Sequence, residues 1–439
     1  MKLPKHVTEC LDALENAGFA AYAVGGCVRD MVLGLEPQDY DLCTAAPPEQ
    51  TQMVFQDRKL VLAGVKHGTV GVITDSGVVE ITTFRTEGGY ADSRHPDWVR
   101  FVPHVEDDLA RRDFTVNAMA YSPKRGLIDP FDGQEDLQNK ILRAVGDPQQ
   151  RFREDALRIL RGVRFASRFG LIPDPATEEA MFSLAPLMDH LARERVFSEL
   201  CKLLVTATAD DLLRFSPVIT GAIPELQAQV GFDQRTPHHA YDIYTHTAHV
   251  VGHVPTDLTL RWAALLHDVG KPSCFTVDEN GRGHFKGHAG EGAEMADAIL
   301  RRFKAPTALR EDVVLLIGQH MTRMEPDRKF LRRRMSRLGQ DTLDKLLHLQ
   351  YADMCSKGIS KDEEKAQFAR VLTLVEQLRA EDACLTLKDL AIDGHDLMAL
   401  GFQGSAIGIC LNSLLEQVVD ETLANERAAL LDAARQLAP

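Results

Sequence analysis

Apolar positions recur at helical spacing from Lys5 until Gly18 ends the segment, and the apolar run Phe19 to Val24 that follows is stopped by Gly25-Gly26. A helical stretch from Val28 to Leu33 and a short strand around Tyr40 come next, so the order is strand, turn, helix, strand. Thr69 to Thr74 and Val78 to Phe84 alternate around Asp75-Ser76-Gly77, a hairpin signal, and Trp98 to Val102 predicts another strand. The first 145 or so residues therefore read as α/β. From about Gln150 the period is helical to the end, with proline-containing joints at Ile172-Pro173 and Ile223-Pro224. Histidines 238, 239, 246, 249, 253, 267, 284 and 288 crowd one window of this helical part and mark a separate unit. Beyond Leu385, glycines between amphipathic helices predict a small tail.

The expected fold is α+β: a small α/β head over 1–145, then an elongated all-α remainder divided into a neck over 146–232, a body over 233–375 and a tail over 376–439. The 439 residues fit about three domains, and 44% hydrophobic with 26% charged residues excludes disorder and a membrane bundle. With 64 acidic against 50 basic side chains the net charge is −14, so nucleic acid must be held by local basic patches. The eight cysteines form no CxxC pair and read as reduced thiols. No apolar leader and no stretch near 20 apolar residues is present, which predicts a cytoplasmic protein.

Asp39-Tyr40-Asp41 is expected on a strand, with both carboxylates on one side. Adjacent carboxylates repel unless a cation lies between them, and a hard oxygen site of this kind suits Mg²⁺ bound with substrate phosphates. Gly25-Gly26 ahead of a helix carrying Arg29 offers bare N–H groups and a guanidinium to a triphosphate.

These residues resemble the nucleotidyltransferases of the DNA polymerase beta superfamily, and within it the bacterial-type (class II) tRNA nucleotidyltransferase and poly(A) polymerase family. Lys66-His67-Gly68-Thr69-Val70, Glu80 to Arg85, Arg111 to Ala118 and Asp129 to Gly133 look like that family's later motifs in order. The resemblance implies a catalytic palm in which Asp39 and Asp41 bind Mg²⁺ and Glu80 positions the primer end. It implies triphosphate contacts from Gly26 and Arg29, and sugar and phosphate contacts from Arg112 and Asp113. Residues 85–96 read as a mobile surface loop. In CCA-adding members the matching loop helps switch from C to A, which argues against an enzyme that stops after CC.

Residues 151–165 predict one helix on which Asp155, Arg158, Arg161 and Arg164 form a polar ridge. A solvated face with internal Asp–Arg pairs is the plain explanation. The chemistry also suits base reading: cytosine and adenine present an amino donor beside a ring-nitrogen acceptor, which carboxylate and guanidinium complement, whereas uracil and guanine mismatch both. The resemblance extends here, with Asp155 and Arg158 as the protein template for CTP and ATP and Arg161 and Arg164 as nearby nucleotide contacts.

In the body, His246, His267-Asp268 and Asp353 come from separate helical stretches and suit a divalent metal. The set looks like the HD phosphohydrolase superfamily, in which these four would be metal ligands and His288 and His320 would serve a second metal. Some CCA-adding relatives use such a domain to remove phosphates from damaged tRNA ends. The basic run Arg328 to Arg337 could contact a tRNA backbone or be a solvated helix face, and the tail resembles the family element that supports tRNA's upper half.

The leading expectation is template-independent CCA addition to tRNA from CTP and ATP, releasing pyrophosphate. An A-adding enzyme stands beside it. A poly(A) polymerase is less favoured, because residues 64–70 lack the Gly-basic-basic-Phe element of those enzymes. An HD metal-dependent phosphohydrolase with a relic head is the alternative of another class, and the oligomeric state is open.

Overall fold

The computed structural model describes residues 1–88, 98–359, 362–381 and 385–437. They form two compact units, Met1–Gln227 and Ala228–Pro439.

The first unit opens with α1 (Lys5–Asn16), β1 (Ala21–Val24), α2 (Gly26–Val32), β2 (Asp41–Thr44), α3 (Pro48–Val54), β3 (Leu60–Val61), β4 (Thr69–Thr74) and β5 (Gly77–Thr83). β6 (Arg85–Gly88), β7 (Trp98–Phe101), α4 (Val105–Ala110), β8 (Ala120–Ser122), β9 (Gly126–Ile128) and α5 (Gly133–Gln138) follow. Seven strands make one sheet in the order β3-β4-β5-β2-β1-β8-β9. Its one parallel pair is β2 with β5, in register Asp41↔Glu80 through Thr44↔Thr83. The expected hairpin is β4–β5, with Gly77 at φ 122° after the turn. Two expectations change. Only Asp41 of the Asp-x-Asp pair lies in a strand, because pairing with β5 begins there and Asp39 precedes it. The first four residues of the expected loop are strand β6, paired with β7, and 89–96 lie outside the described residues.

The helices after the sheet are α6 (Pro148–Glu154), α7 (Leu157–Phe169), α8 (Pro175–Ser183), α9 (Arg193–Leu204), α10 (Ala209–Arg214) and α11 (Ser216–Ala222). The single helix expected over 151–165 is two: Asp155 is extended (φ −146°, ψ 102°), and its Oδ1 accepts from Leu157 N at 3.1 Å, starting α7 afresh.

Sheet and helices of this unit are joined by packing and by charge. Phe114 is fully buried, with ring centroids 6.2 Å from Phe152 of α6 and 5.9 Å from Phe165 of α7. Beside it Asp113 accepts from Arg161 Nε of α7 (2.8 Å), Asn117 Nδ2 (3.1 Å) and Phe114 N (2.9 Å). Asn117 Oδ1 in turn accepts from Arg29 Nη1 of α2 at 2.7 Å. Arg29 also lies 4.3 Å from the Phe169 ring and 5.2 Å from that of Phe165. Burial alone would raise the Asp113 carboxyl, but Arg161 and Asn117 outweigh it and hold it at about 2, against an ordinary 3.8.

The second unit contains α12 (Ile243–His253), α13 (Leu258–Leu266), α14 (His288–Arg302), α15 (Thr307–Gln319), α16 (Arg328–Leu338), α17 (Gln340–Cys355) and α18 (Asp362–Ala380), then α19 (Gly394–Ala399), α20 (Ser405–Val419) and α21 (Arg427–Gln436). The last three close on their own core, which includes Leu397, Phe402, Leu414 and Leu430. The described cysteines are free, and no described helix is long and apolar enough to cross a membrane.

Two outcomes are expected. Phe114→Ala lowers the stability of the first unit by about 3–5 kcal/mol in urea unfolding, while Phe114→Leu keeps most of it. Because the folded Asp113 carboxyl lies below its unfolded value, its contribution is whole above pH 3.8 and disappears as pH falls toward about 2. The stability gap between wild type and Asp113→Asn, measured against pH, is therefore constant above about pH 4 and narrows below it.

Candidate functional site

In the head, the β2–β5 register sets Asp41 beside Glu80 on neighbouring parallel strands. Burial, reinforced by Asp39 and Glu80 and opposed by Arg112, raises the Asp41 carboxyl above its ordinary range. Three carboxylates are thus near enough to feel one another, a charge pattern that a divalent cation satisfies.

Gly25, at φ 78°, ends β1 and precedes α2 without a side-chain cap. A Cβ there would stand 2.7 Å from Arg112 Nη1, so glycine is what lets Arg112 lie over the turn. Arg112 Nη2 is 3.3 Å from Asp108, while its Nε is buried without a hydrogen-bond partner, leaving donor capacity for an anion. Arg29 is placed otherwise than expected. It is buried and committed to Asp30, Asn117 and two phenylalanine rings, and supports the turn from behind. Asp113 is likewise held inside by Arg161 and Asn117.

The neck residues do not pair as a ridge. The break at Asp155 separates that side chain from Arg158, and Asp155 Oδ2 accepts from Arg195 Nη2 of α9 at 2.8 Å. Arg158 Nη1 donates to Glu154 Oε2 (2.7 Å) and the Arg151 carbonyl (3.0 Å), and its Nη2 donates to the Arg111 carbonyl (3.1 Å). Arg164 pairs with Glu199 of α9 at 2.6 Å and Arg161 with Asp113. Asn117, Asp108, Arg195 and Glu199 were not singled out from the sequence. Asn117 lay within a quoted motif, whereas the partners on α9 are some 40 residues away and carry no local signal.

In the second unit the expected ligands converge. His246, His267 and Asp268 form one group, and Asp268, His288 and His320 another, the ligand atoms of each lying within 4.8 Å of one another and all five residues being buried. Asp353 joins the first, its Oδ1 2.9 Å from His246 Nε2. Each imidazole is aimed from behind: Nδ1 of His246, His267, His288 and His320 lies 3.1, 2.7, 2.7 and 2.6 Å from the carbonyls of Ser356, Ala264, Phe285 and Ile317. A carbonyl only accepts, so each Nδ1 carries a proton and each Nε2 is turned toward the neighbouring ligand atoms. His288 Nε2 and His320 Nε2 face each other at 3.3 Å. Burial lowers both rings, His320 to about 4 and His288 in the same direction, so both are neutral and two lone pairs oppose. His267 Nε2 lies 3.2 Å from Asp268 Oδ2, which also has Lys271 Nζ at 2.7 Å. Buried imidazole nitrogens and carboxylate oxygens that converge in this way fit divalent metal ions. A cavity of about 350 Å³ opens over the set, rimmed by Lys271, Arg282, Lys286 and Lys357.

The basic run is a clasp. In α16, Arg328 pairs with Glu381 and, at 2.7 Å, with Glu421; Arg333 pairs with Asp420 at 2.5 Å. Arg332 donates to the Val418 and Val419 carbonyls at the end of α20. These contacts bind α16 to the tail, so much of the run's charge is spent inside the chain.

Three stretches of the chain match known protein families. Residues 21–143 match the poly A polymerase head domain, 170–228 the probable RNA and SrmB-binding site of polymerase A, and 288–434 the putative domain 2 of tRNA nucleotidyltransferase. The CCA-adding enzyme of Streptococcus mutans is 35% identical over 457 aligned positions, covering 99% of this chain and 98% of that one. That of Bacillus velezensis is 34% identical over 89% and 87% of the two chains. The crystal structure of the Bacillus stearothermophilus CCA-adding enzyme in complex with CTP superposes with a TM-score of 0.71 at 27% identity, covering 100% of this chain and 98% of that one. The Thermotoga maritima CCA-adding enzyme complexed with tRNA(CCA) shares the fold, with a TM-score of 0.60 at 19% identity over 99% and 97%. Matching relatives along nearly its whole length, and carrying the head's carboxylates and glycine turn in place, the chain belongs to the CCA-adding enzyme family of tRNA nucleotidyltransferases.

Proposed function

We propose that this chain adds C, C and A to the 3′ end of tRNA from CTP and ATP, with the head and neck of the first unit as the active centre. The observation that carries the reading is the register that sets Asp41 beside Glu80, with Asp39 close enough to raise the Asp41 carboxyl. Asp39 and Asp41 would hold Mg²⁺, which when bound offsets the charge of the triphosphate and lowers the pKa of the attacking hydroxyl. Glu80 positions the primer end. Arg112 donates to the nucleotide's phosphates across the Gly25-Gly26 turn, where no side chain blocks approach. Asp155 accepts from the amino group of cytosine or adenine. Arg158 donates to the ring nitrogen once it exchanges its contact with Glu154 for the base. Uracil and guanine leave both groups unpaired, a loss of several kcal/mol. The substrates are met in the cytoplasm, where we place the protein.

A second activity is favoured by the opposed lone pairs of His288 and His320. We read the second unit as an HD-type phosphohydrolase: His246, His267, Asp268 and Asp353 would hold one divalent ion, and Asp268, His288 and His320 a second. Such ions supply an activated water for phosphoester hydrolysis.

Primer extension on tRNAs ending before CCA, after C and after CC tests the main reading. Stepwise C, C and A without U or G is expected; A alone on the CC-ending tRNA makes this an A-adding enzyme, and long A tracts on any RNA a poly(A) polymerase. Asp41→Ala is expected to cut extension about a thousandfold, the worth of about 4 kcal/mol of charge stabilisation. Asp155→Asn reduces preference for CTP over UTP about thirtyfold, or about 2 kcal/mol. For the second unit, metal analysis and p-nitrophenyl phosphate hydrolysis should show bound metal and activity that His267→Ala loses while CCA addition persists.

A further inference from the structure

The β6–β7 hairpin pairs Arg85 with Phe101, Thr86 with Arg100 and Gly88 with Trp98. Opposed residues share a face, so Arg85 and Phe101 lie on one side and Thr86, Gly88, Trp98 and Arg100 on the other. The first side is seated on the head. Arg85 donates to the His67 carbonyl, and the Phe101 ring occupies the space a Gly68 Cβ would need, 2.8 Å away. On the second side, three indole carbons of Trp98 lie within 3.4 Å of where a Gly88 Cβ would stand, so glycine lets the ring lie against the strand. The indole remains 53% exposed, and Arg100 is exposed two residues along the same face.

A half-exposed indole forgoes burial worth well over 1 kcal/mol, roughly, unless something stacks on it. A flat ring with a guanidinium one pleat away is the make-up of a platform for single-stranded nucleic acid, where bases stack and the cation meets phosphate. A chain of net charge −14 needs such local contacts to hold RNA. The platform is also fastened to the active centre: Arg85 N donates to Asp108 Oδ1 at 3.2 Å, and Asp108 pairs with Arg111 and Arg112. Arg85 lies five residues beyond Glu80, roughly 16 Å along an extended chain. We propose that Trp98 stacks an unpaired base of the tRNA 3′ end, a few nucleotides upstream of the reacting hydroxyl, with Arg100 on the adjoining phosphate. This rests on the RNA-extending function proposed above.

The chain has two tryptophans, and Trp262 is fully buried, so quenching of exposed tryptophan emission reports Trp98. Titration with tRNA ending in CC should quench it, whereas the same RNA trimmed to a blunt end, or CTP alone, should not. Trp98→Ala should raise KM for tRNA about tenfold with kcat and KM for CTP little changed. Trp98→Phe should restore KM, and Arg100→Ala should raise it and weaken its salt dependence. Equal quenching by blunt RNA or by CTP, or an unchanged KM for tRNA in a folded Trp98→Ala protein, overturns the platform. A wild type that extends no tRNA yet shows end-dependent quenching overturns the function and retains the platform.

Discussion

The Asp113–Arg161 ion pair is the interaction on which the geometry of the first unit rests. The Asp113 carboxylate is withdrawn from water, which is tolerable only because it finds Arg161 and its remaining capacity is filled by Asn117 and the Phe114 amide. Through Asn117 the same carboxylate reaches Arg29, and Arg29 in turn stacks on rings of α7. The glycine turn, the Arg112 segment and the neck helix are thereby one body. The spacing between the glycine turn and the neck helix follows from a buried carboxylate that has nowhere else to go.

On the proposed function, base reading by Asp155 and Arg158 becomes a competition. Arg158 satisfies itself with Glu154 and two carbonyls, and Asp155 with Arg195. A base must displace contacts of comparable strength, so only one that fills both partners recovers the loss. On that proposal, discrimination is built as much from what the arginine gives up as from what it gains.

Much of this was legible from the sequence. The strand, turn, helix, strand opening of the head and the hairpin around Asp75-Ser76 follow from period, and the four histidines and two aspartates of the candidate metal centre follow from residue type and resemblance. Three things were not. The break at Asp155 was hidden because a residue that caps the next helix looks, in a helical pattern, like one more polar position. Arg29 was read as a phosphate clamp because nothing local shows that a guanidinium is enclosed by rings 136 and 140 residues away. The basic run of α16 stays open in the sequence between an RNA contact and a solvated helix face because its partners, Asp420 and Glu421, lie in the tail.

The four histidines of the candidate metal centre each turn Nδ1 to a peptide carbonyl. Those anchors belong to the main chain and survive any exchange of the side chain at Ser356, Ala264, Phe285 or Ile317. Drift at these supporting positions therefore leaves the rings aimed, and the centre is lost chiefly by replacing a ligand itself. Such a site is robust to neutral change in its surroundings, and a lineage that dispensed with it would be expected to show the loss first at the rings.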